Sequence, residues 1–424
     1  MNQKVNNNIA SNQQSSNSSD PQDSFAWVVM ANLWAIDIGN VFVFMSIGIL
    51  IPIWQDDIGL TPIQAGLMGS AGFLGFGLMS LPSSIWLTKY NPKFVTAFAT
   101  IGMAITALMH SISVNVEMLI ISRFTFVALA SSRLTIQIIF IQQWFQPRLY
   151  SIINGLDFSI RSIGQTLALV MIPSMIVILG NWRNVYVAIA LYMGILSILW
   201  MILGKQNYST STNSLPANQE GNPARILIRK KILWVIASTQ IGAACTFGSF
   251  MTFYPSYSME HLNISVGTAG FLMSAFPTGG IIGSVFGGAL SQKIGKRKPI
   301  IWVSGILLPI MYLILLNVNT IPLSMIILFM IGGTAMAFPP ILFTIPLDMR
   351  LSAREVAVAG GLIRTLFPVG ATLGPLIVGA IQESSGSLFL GLSIVAPLPI
   401  TIAIASIFIP ETGPRNTTTI PSSI

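Results

Sequence analysis

The sequence predicts an all-α membrane protein of twelve transmembrane helices, arranged as two pseudo-symmetric six-helix bundles. Three observations carry this expectation. The 424 residues are 53% hydrophobic and only 8% charged, with a mean hydropathy of +0.75, a composition that a water-soluble domain could hold only by exposing large apolar patches. Apolar runs of about 20 residues, enough to cross roughly 30 Å of hydrocarbon as helix, recur along almost the whole chain. The second half also repeats the first: Asn154-Gly155-Leu156 and Gly164-Gln165-Thr166-Leu167 line up with Gly360-Gly361-Leu362 and Gly370-Ala371-Thr372-Leu373 at a constant offset, and Ala65-Gly66-Leu67-Met68 matches Ala269-Gly270-Phe271-Leu272.

Lipid cannot hydrogen-bond the backbone, so the spans must be helices or closed barrel strands, and unbroken runs of this length rule out a barrel. Residues 1–24 are rich in Asn, Gln and Ser and are expected to form a disordered tail. No basic n-region leads into a short apolar stretch, so no cleaved signal is expected. The first bundle, 25–204, holds spans at 26–53, 62–87, 94–113, 117–143, 150–179 and 183–204. A polar, turn-rich stretch, 205–230, is expected to link it to a second bundle, 231–410, with spans at 231–256, 264–290, 298–316, 321–346, 355–381 and 386–409. Residues 411–424 form a second tail. Gly69, Gly72, Gly75 and Gly77 in span 2 permit close helix contact, and Pro339-Pro340 with Pro346 should bend span 10.

With the N-terminal tail placed inside, the inner connections hold Lys89, Lys93, Arg148, Lys205, Arg225, Arg229, Lys230, Lys231, Lys293, Lys296, Arg297, Lys298, Arg350 and Arg354, and the outer ones only Arg183. This asymmetry predicts two cytoplasmic termini. The net charge of +8 is therefore topological, and no nucleic-acid partner is expected. The single cysteine, Cys245, excludes a disulfide framework and a cysteine-built metal site. His110 and His261 fall near outer helix ends without an accompanying carboxylate or cysteine cluster, so neither a metal nor another cofactor is expected. The absence of a Gly-rich phosphate loop followed by Lys-Ser/Thr argues against an ATP-driven pump.

Two basic turns sit at matching places in the halves. Leu87-Thr88-Lys89-Tyr90-Asn91-Pro92-Lys93 is a degraded copy of the other, Gly287-Gly288-Ala289-Leu290-Ser291-Gln292-Lys293-Ile294-Gly295-Lys296-Arg297-Lys298. The second resembles the loop signature of the major facilitator superfamily, in which glycines let two helices approach and a basic cluster holds the turn. Leu119-Ile120-Ile121-Ser122-Arg123 resembles the start of the motif whose arginine that family carries on its fourth helix, and Trp144-Phe145-Gln146-Pro147-Arg148 looks like its following connection. Span 5 lacks the Gly-Pro pattern of drug/proton antiporters; Gly370, Gly374-Pro375 and Gly379 carry a related one in span 11. The resemblance covers residues 25–410 and implies a solute site between the halves near the midplane.

An ionised group at mid-bilayer costs about 2.5–3.5 kcal/mol on insertion scales, so intramembrane charges are candidates for function. Asp37, Arg133, Arg161 and Arg364 fall near the midplane, Asp157 one turn nearer the inner end than Arg161. Asp157 and Arg161 are spaced i,i+4 and can satisfy each other. Arg123, Arg133, Arg161 and Arg364 nonetheless outnumber Asp37 and Asp157, and excess buried positive charge calls for an anion. Arg364 corresponds to Phe158 in the repeat, one turn from Arg161, so Arg161 and Arg364 are expected to clamp a small anion between the halves by bidentate hydrogen bonds. Arg133, Gln137 and Gln165 complete the expected solute ligands. Asp37 and Asp157 are the candidate proton-coupling groups, Asp37 being equally readable as the fixed partner of Arg133. Arg123, Gly287, Gly288, Gly295, Lys296 and Arg297 are expected to serve conformational change.

The sequence thus predicts a secondary transporter of a small organic or inorganic anion, working by proton symport or anion exchange, a monomer with membrane lipids around it, and the family resemblance implies a plasma or bacterial inner membrane. Proton-coupled efflux of an amphipathic compound is the same-fold alternative, and a transporter-like receptor the different-class one. No nucleophile, base and orienting group can be assembled in the membrane, so an enzyme is not expected.

Overall fold

The computed structural model describes residues 21–86, 90–146, 149–205, 230–349, 351 and 353–413. Lys89, Arg148, Arg225, Arg229 and Arg350 lie outside the described residues, as do the Arg354 side chain, most of the 205–230 stretch and the ends of both tails. Twelve helices among the described residues are long and apolar enough to cross a membrane. They are α1 (Pro21–Ile58), α2 (Pro62–Trp86), α3 (Pro92–Ser111), α4 (Val116–Trp144), α5 (Tyr150–Leu179), α6 (Trp182–Leu203), α7 (Lys231–Leu262), α8 (Val266–Ile294), α9 (Lys298–Leu315), α10 (Ile321–Asp348), α11 (Ala353–Ser385) and α12 (Leu388–Phe408).

The expected spans agree to within a few residues, with two extensions. α1 continues past 53 because Asp57 is tied to the start of α6: its Oδ2 accepts from Trp182 Nε1 at 2.9 Å and from Arg183 Nη1 at 2.5 Å. α7 runs on to Leu262 through Pro255, which removes a single intrahelical donor. Three spans are interrupted. α10 breaks at Phe338, before Pro339-Pro340. α12 breaks between Val395 and Ile400, across Pro397 and Pro399. α7 breaks between Ser238 and Ile241 without a proline, where the Gln240 side chain donates to the carbonyl of Ile363 on α11.

Local chemistry starts and stops the helices. Asn91, Asn115 and Asn181 cap α3, α4 and α6 by accepting from Lys93, Met118 and Arg183 backbone N–H groups. α5 and α11 end at the repeat-related Gly180 and Gly386, in left-handed conformation at φ +76° and +70°.

Close packing explains most of the remaining glycines. α8 lies along α10 on Gly279, Gly283 and Gly287, where an added Cβ would collide with Phe329, Gly333 and Ala337. Within the first bundle, Gly75 meets the Phe124 backbone of α4. Between the bundles, α2 meets α11 where Gly66 and Gly69 pack on Pro375 and Ser70 Oγ donates to Thr372 O at 2.6 Å. α5 meets α8 where Gly270 packs on Leu169 and Pro173, and α1 meets α7 where Gly48 packs on Met251 and Pro255.

These contacts run from mid-membrane to the end remote from the termini, here the far end. At the terminal end Gly155 of α5 and Gly360 and Gly361 of α11 have nothing within 4 Å of an added Cβ. A cavity between the bundles therefore opens at the terminal end and is closed at the far end.

Candidate functional site

The packing of α5 and α11 fixes which of their faces look into the cavity. On α5, Gly164 packs on Ile38 of α1 while Leu169 and Thr166 meet Gly270 and Thr278 of α8. The face between these neighbours carries Asn154, Phe158, Arg161 and Gln165, spaced i, i+4, i+7 and i+11. On α11, Gly370 and Gly374 pack on Ile241 and Cys245 of α7, while Pro368 and Pro375 meet Gly77 and Gly66 of α2. The corresponding face carries Gly360, Arg364, Phe367 and Ala371. These are the repeat partners of the α5 residues, at the offset that relates Gly155 to Gly361. Each arginine thus has a phenylalanine as its symmetry mate: Arg364 with Phe158, and Arg161 with Phe367.

Behind Arg161 lies a closed polar network drawn from α1, α4 and α5. Arg133 is ion-paired with Asp37, both side chains fully buried. Arg133 Nη1 donates to Gln137 Oε1 at 2.8 Å, and Gln137 Nε2 donates to Asp157 Oδ1 at 2.5 Å. Asp157 is ion-paired with Arg161, as the i,i+4 spacing predicted, and Trp34 Nε1 donates to its Oδ1 at 3.2 Å. Arg161 Nε lies 3.7 Å from Asp37 Oδ2, which closes the ring. Two guanidiniums and two carboxylates make a neutral unit, the condition under which buried charge is tolerated.

Arg161 is the guanidinium of this unit that reaches the cavity, its side chain 32% exposed. Arg133 and Gln137, read from sequence as solute ligands, are instead sealed behind it and spend their hydrogen bonds on Asp37 and Asp157. They position Arg161 and Asp157 and touch no cavity surface. Gln165 stands on the cavity face without a hydrogen bond among the described residues, half-buried.

The other two intramembrane arginines, Arg123 and Arg364, have no carboxylate partner among the described residues. Arg123 is buried and shares its charge among backbone carbonyls: Nε donates to Met68 O and Nη1 to Val43 O, both at 3.0 Å, and Nη2 to Phe44 O at 3.3 Å. It fills the notch at Gly72, where a Cβ would come within 2.9 Å of its Nη2. Arg123 is thus a rivet joining α1, α2 and α4. Arg364 is exposed on the cavity face, its Cζ 5.8 Å from the Phe343 ring centroid. The excess positive charge expected in the membrane reduces, for the cavity, to Arg364.

Toward the far end the cavity meets an aromatic roof. Phe247 of α7 lies 5.8 Å from Phe367, 6.1 Å from Phe73 and 5.6 Å from Phe276, and Phe73 lies 5.2 Å from Phe44. Five helices from both bundles contribute one ring each. The roof was missed in sequence, although the exchange of Arg161 for Phe367 across the repeat was visible there.

At the terminal end the second basic turn holds the second bundle together. Gly287 packs on Ala337 as expected, whereas Gly288 has nothing within 4 Å and takes no part in the approach. Gly295 ends α8 in left-handed conformation at φ +71°, and Lys296 is exposed. Arg297 Nε donates to Asp348 Oδ2 at 2.8 Å, and the backbone N–H of Arg297 donates to Glu411 Oε1 at 2.6 Å. The matching place in the first bundle uses indoles instead: Trp200 Nε1 donates to Lys93 O at 3.0 Å and Trp144 Nε1 to Lys205 O at 3.2 Å. Asp348 and Glu411 were not singled out from sequence, because each is a lone acid outside any run.

The sequence model described as the Major Facilitator Superfamily matches residues 33–349 and 236–423. The probable sulfoacetate transporter SauU of Cupriavidus necator is 21% identical over 393 residues, 86% of this chain and 89% of that protein. The sialic acid transporter NanX of Escherichia coli is 23% identical over 395 residues, 89% and 91%. Among solved structures, a bacterial homolog of the human lysosomal transporter Spinster, inward-facing and unoccupied, superposes with a TM-score of 0.73 at 16% identity, covering 92% of this chain and 95% of that one.

Proposed function

This chain belongs to the major facilitator superfamily, which makes it a multi-pass membrane transporter of small solutes and not an enzyme, and we propose that its solute is a small anion bound between α5 and α11 and moved by alternating access. The observation that carries this reading is Arg364: a guanidinium in the terminal-end half of α11, on the cavity face, with no carboxylate partner among the described residues. The names of SauU and NanX, both transporters of anionic solutes, support it. In this reading Arg161 and Arg364 take the oxyanion from opposite bundles, Gln165 adds a neutral hydrogen bond, and Arg133 and Gln137 hold Arg161 in place. Residues 25–204 and 231–410 move as the two rocking bodies, joined through 205–230, and Arg297 with Asp348 and Glu411 keeps the second body rigid at its terminal end.

Coupling follows from the shared carboxylates. An oxyanion competes with Asp157 for Arg161, and an Asp157 released from its cation is free to take up a proton, so solute and proton enter together. Asp37, which keeps Arg133, is the second site for that proton. The excess of basic residues in the connections on the side of the termini supports a cytoplasmic placement of both termini, and family membership supports a plasma or bacterial inner membrane; in this reading the cavity opens inward.

The test is uptake of a panel of radiolabelled small anions into proteoliposomes, with and without an imposed pH gradient. Uptake that collapses in Arg364→Ala is the expected result. Proton-driven movement of a cationic dye, with no anion uptake, would replace this reading by amphipath efflux.

A further inference from the structure

Most hydrogen-bonding groups around the anion site are already spent on one another, the amides of Asn154 and Gln165 on the α5 face being the exceptions. Gln137 uses its oxygen on Arg133 and its nitrogen on Asp157, and Asp157 accepts from Gln137, Trp34 and Arg161. Thr365 Oγ1 donates to Gly361 O at 2.9 Å and Thr344 Oγ1 to Ile341 O at 2.8 Å, while Thr166 and Thr278 pair at 3.3 Å. A polyhydroxylated acid entering such a site finds two amides for its several hydroxyls and leaves most of them without partners, and a buried polar group without a partner is costly.

Beyond its two arginines and the α5 amides Asn154 and Gln165, what the cavity offers is aromatic surface. Phe158 is 46% exposed, one turn from Arg161. Phe367 is half-buried one turn from Arg364, and Phe247 is half-buried against it at 5.8 Å. At about 1.5 Å per residue, Phe367 stands some 4–5 Å farther into the membrane than Arg364 on the same helix face. An oxyanion held by the arginines therefore directs the rest of the solute against the Phe247–Phe367 part of the roof. Aromatic rings can also cage a cation, but the guanidinium of Arg364, one turn from Phe367 and without a carboxylate partner among the described residues, opposes one.

We propose that this transporter selects carboxylates or sulfonates that carry an aromatic or branched apolar body, and discriminates against polyhydroxylated acids. The proposal rests on the anion reading above. Arg161 and Arg364 recognise the charged head, and Phe247 and Phe367 set the specificity for the body. Apolar contacts of this kind discriminate by about tenfold or more per group filled or lost, so the preference is large enough to measure by equilibrium binding, which passive leak of weak acids across a membrane does not disturb.

The experiment is calorimetric titration of the purified full-length chain with phenylacetate, cyclohexanecarboxylate and glucuronate. The wild-type chain is expected to bind the first two at least tenfold more tightly than glucuronate. In Phe367→Ala and Phe247→Ala that ratio should fall toward one through loss of phenylacetate affinity, with glucuronate affinity little changed; Phe367→Leu, which keeps the volume largely filled, should retain most of it. The wild-type ratio needs no variant to fold and decides alone. Glucuronate binding as tightly as phenylacetate, or a preference that survives both alanine variants, would overturn the apolar-body proposal and leave the anion reading standing. Binding of phenethylammonium with no binding of any of the three acids would sink both.

Discussion

At the scale of single residues, the polar network turns on Gln137, a neutral side chain that accepts from Arg133 and donates to Asp157. Gln137→Leu keeps the volume but removes both bonds in a fully buried place. One unsatisfied buried polar group costs about 1–3 kcal/mol, so this substitution should lower the thermal unfolding midpoint clearly and slow transport without changing which solutes bind. Asp157→Asn acts differently. Its amide still accepts from Trp34 but no longer neutralises Arg161, which leaves that guanidinium fully available to an oxyanion. Anion binding should tighten, and the dependence of uptake on a pH gradient should weaken, because the carboxyl released by the solute is gone. Both effects are read in one set of proteoliposome measurements with and without the gradient. Unchanged gradient dependence would move the proton to Asp37.

At the scale of helices, glycine placement decides what can move. α2 and α11 approach through Gly66 and Gly69 on Pro375 and through Gly379 on Pro62, with a side-chain bond from Ser70 to Thr372 O. α8 and α10 approach equally closely, but within one bundle. The first pair must separate if the far end is to open, and the second must not. Gly66→Val, whose branch would meet the Pro375 carbonyl, should therefore hold the far end apart. A cysteine at Ile63, in the same contact region, should react with a membrane-impermeant thiol reagent faster in Gly66→Val than in its absence, against a background where the native Cys245 is buried. Gly283→Val should instead disrupt the second bundle and lower expression, since it would drive into the Gly333 backbone. The two outcomes separate a gliding contact from a fixed one.

At the scale of the whole molecule, the proposed alternating access of an anion makes the terminal-end opening and Arg364, which has no carboxylate partner among the described residues, the two features that set when the chain can close. Much of this was legible in sequence: the twelve spans follow from length and hydropathy, the two bundles from the repeat, and the Asp157–Arg161 pair from its spacing. Long-range closure was not. The Asp37–Arg133 pair was one of two readings of Asp37, but nothing in the order of residues says that Asp37 also approaches Arg161, that Arg123 finds backbone carbonyls, or that Phe73, Phe247 and Phe367 converge from three helices, because these depend on how helices distant in sequence cross. Once the crossings are known, the energetics become specific. Closing the terminal end withdraws Arg364 from water, and an unpaired ion loses several kcal/mol of hydration on burial. Moving a two-state equilibrium from 1:99 to 99:1 takes about 5.5 kcal/mol, so this single desolvation is of the size needed to keep the empty carrier open. A bound oxyanion removes the penalty by pairing the charge, and a solute can shift the equilibrium only through such a difference between states. Spin labels at Gly155 and Gly361, repeat-related positions on α5 and α11 where an added Cβ meets nothing within 4 Å, should give a long distance in the empty native chain and a shorter one with a saturating anion. Arg364→Ala carries no charge to desolvate and should populate the short distance without solute, even though it no longer transports. If the empty Arg364→Ala chain instead keeps the long distance of the native one, the barrier to closure lies in helix packing and not in the burial of this arginine.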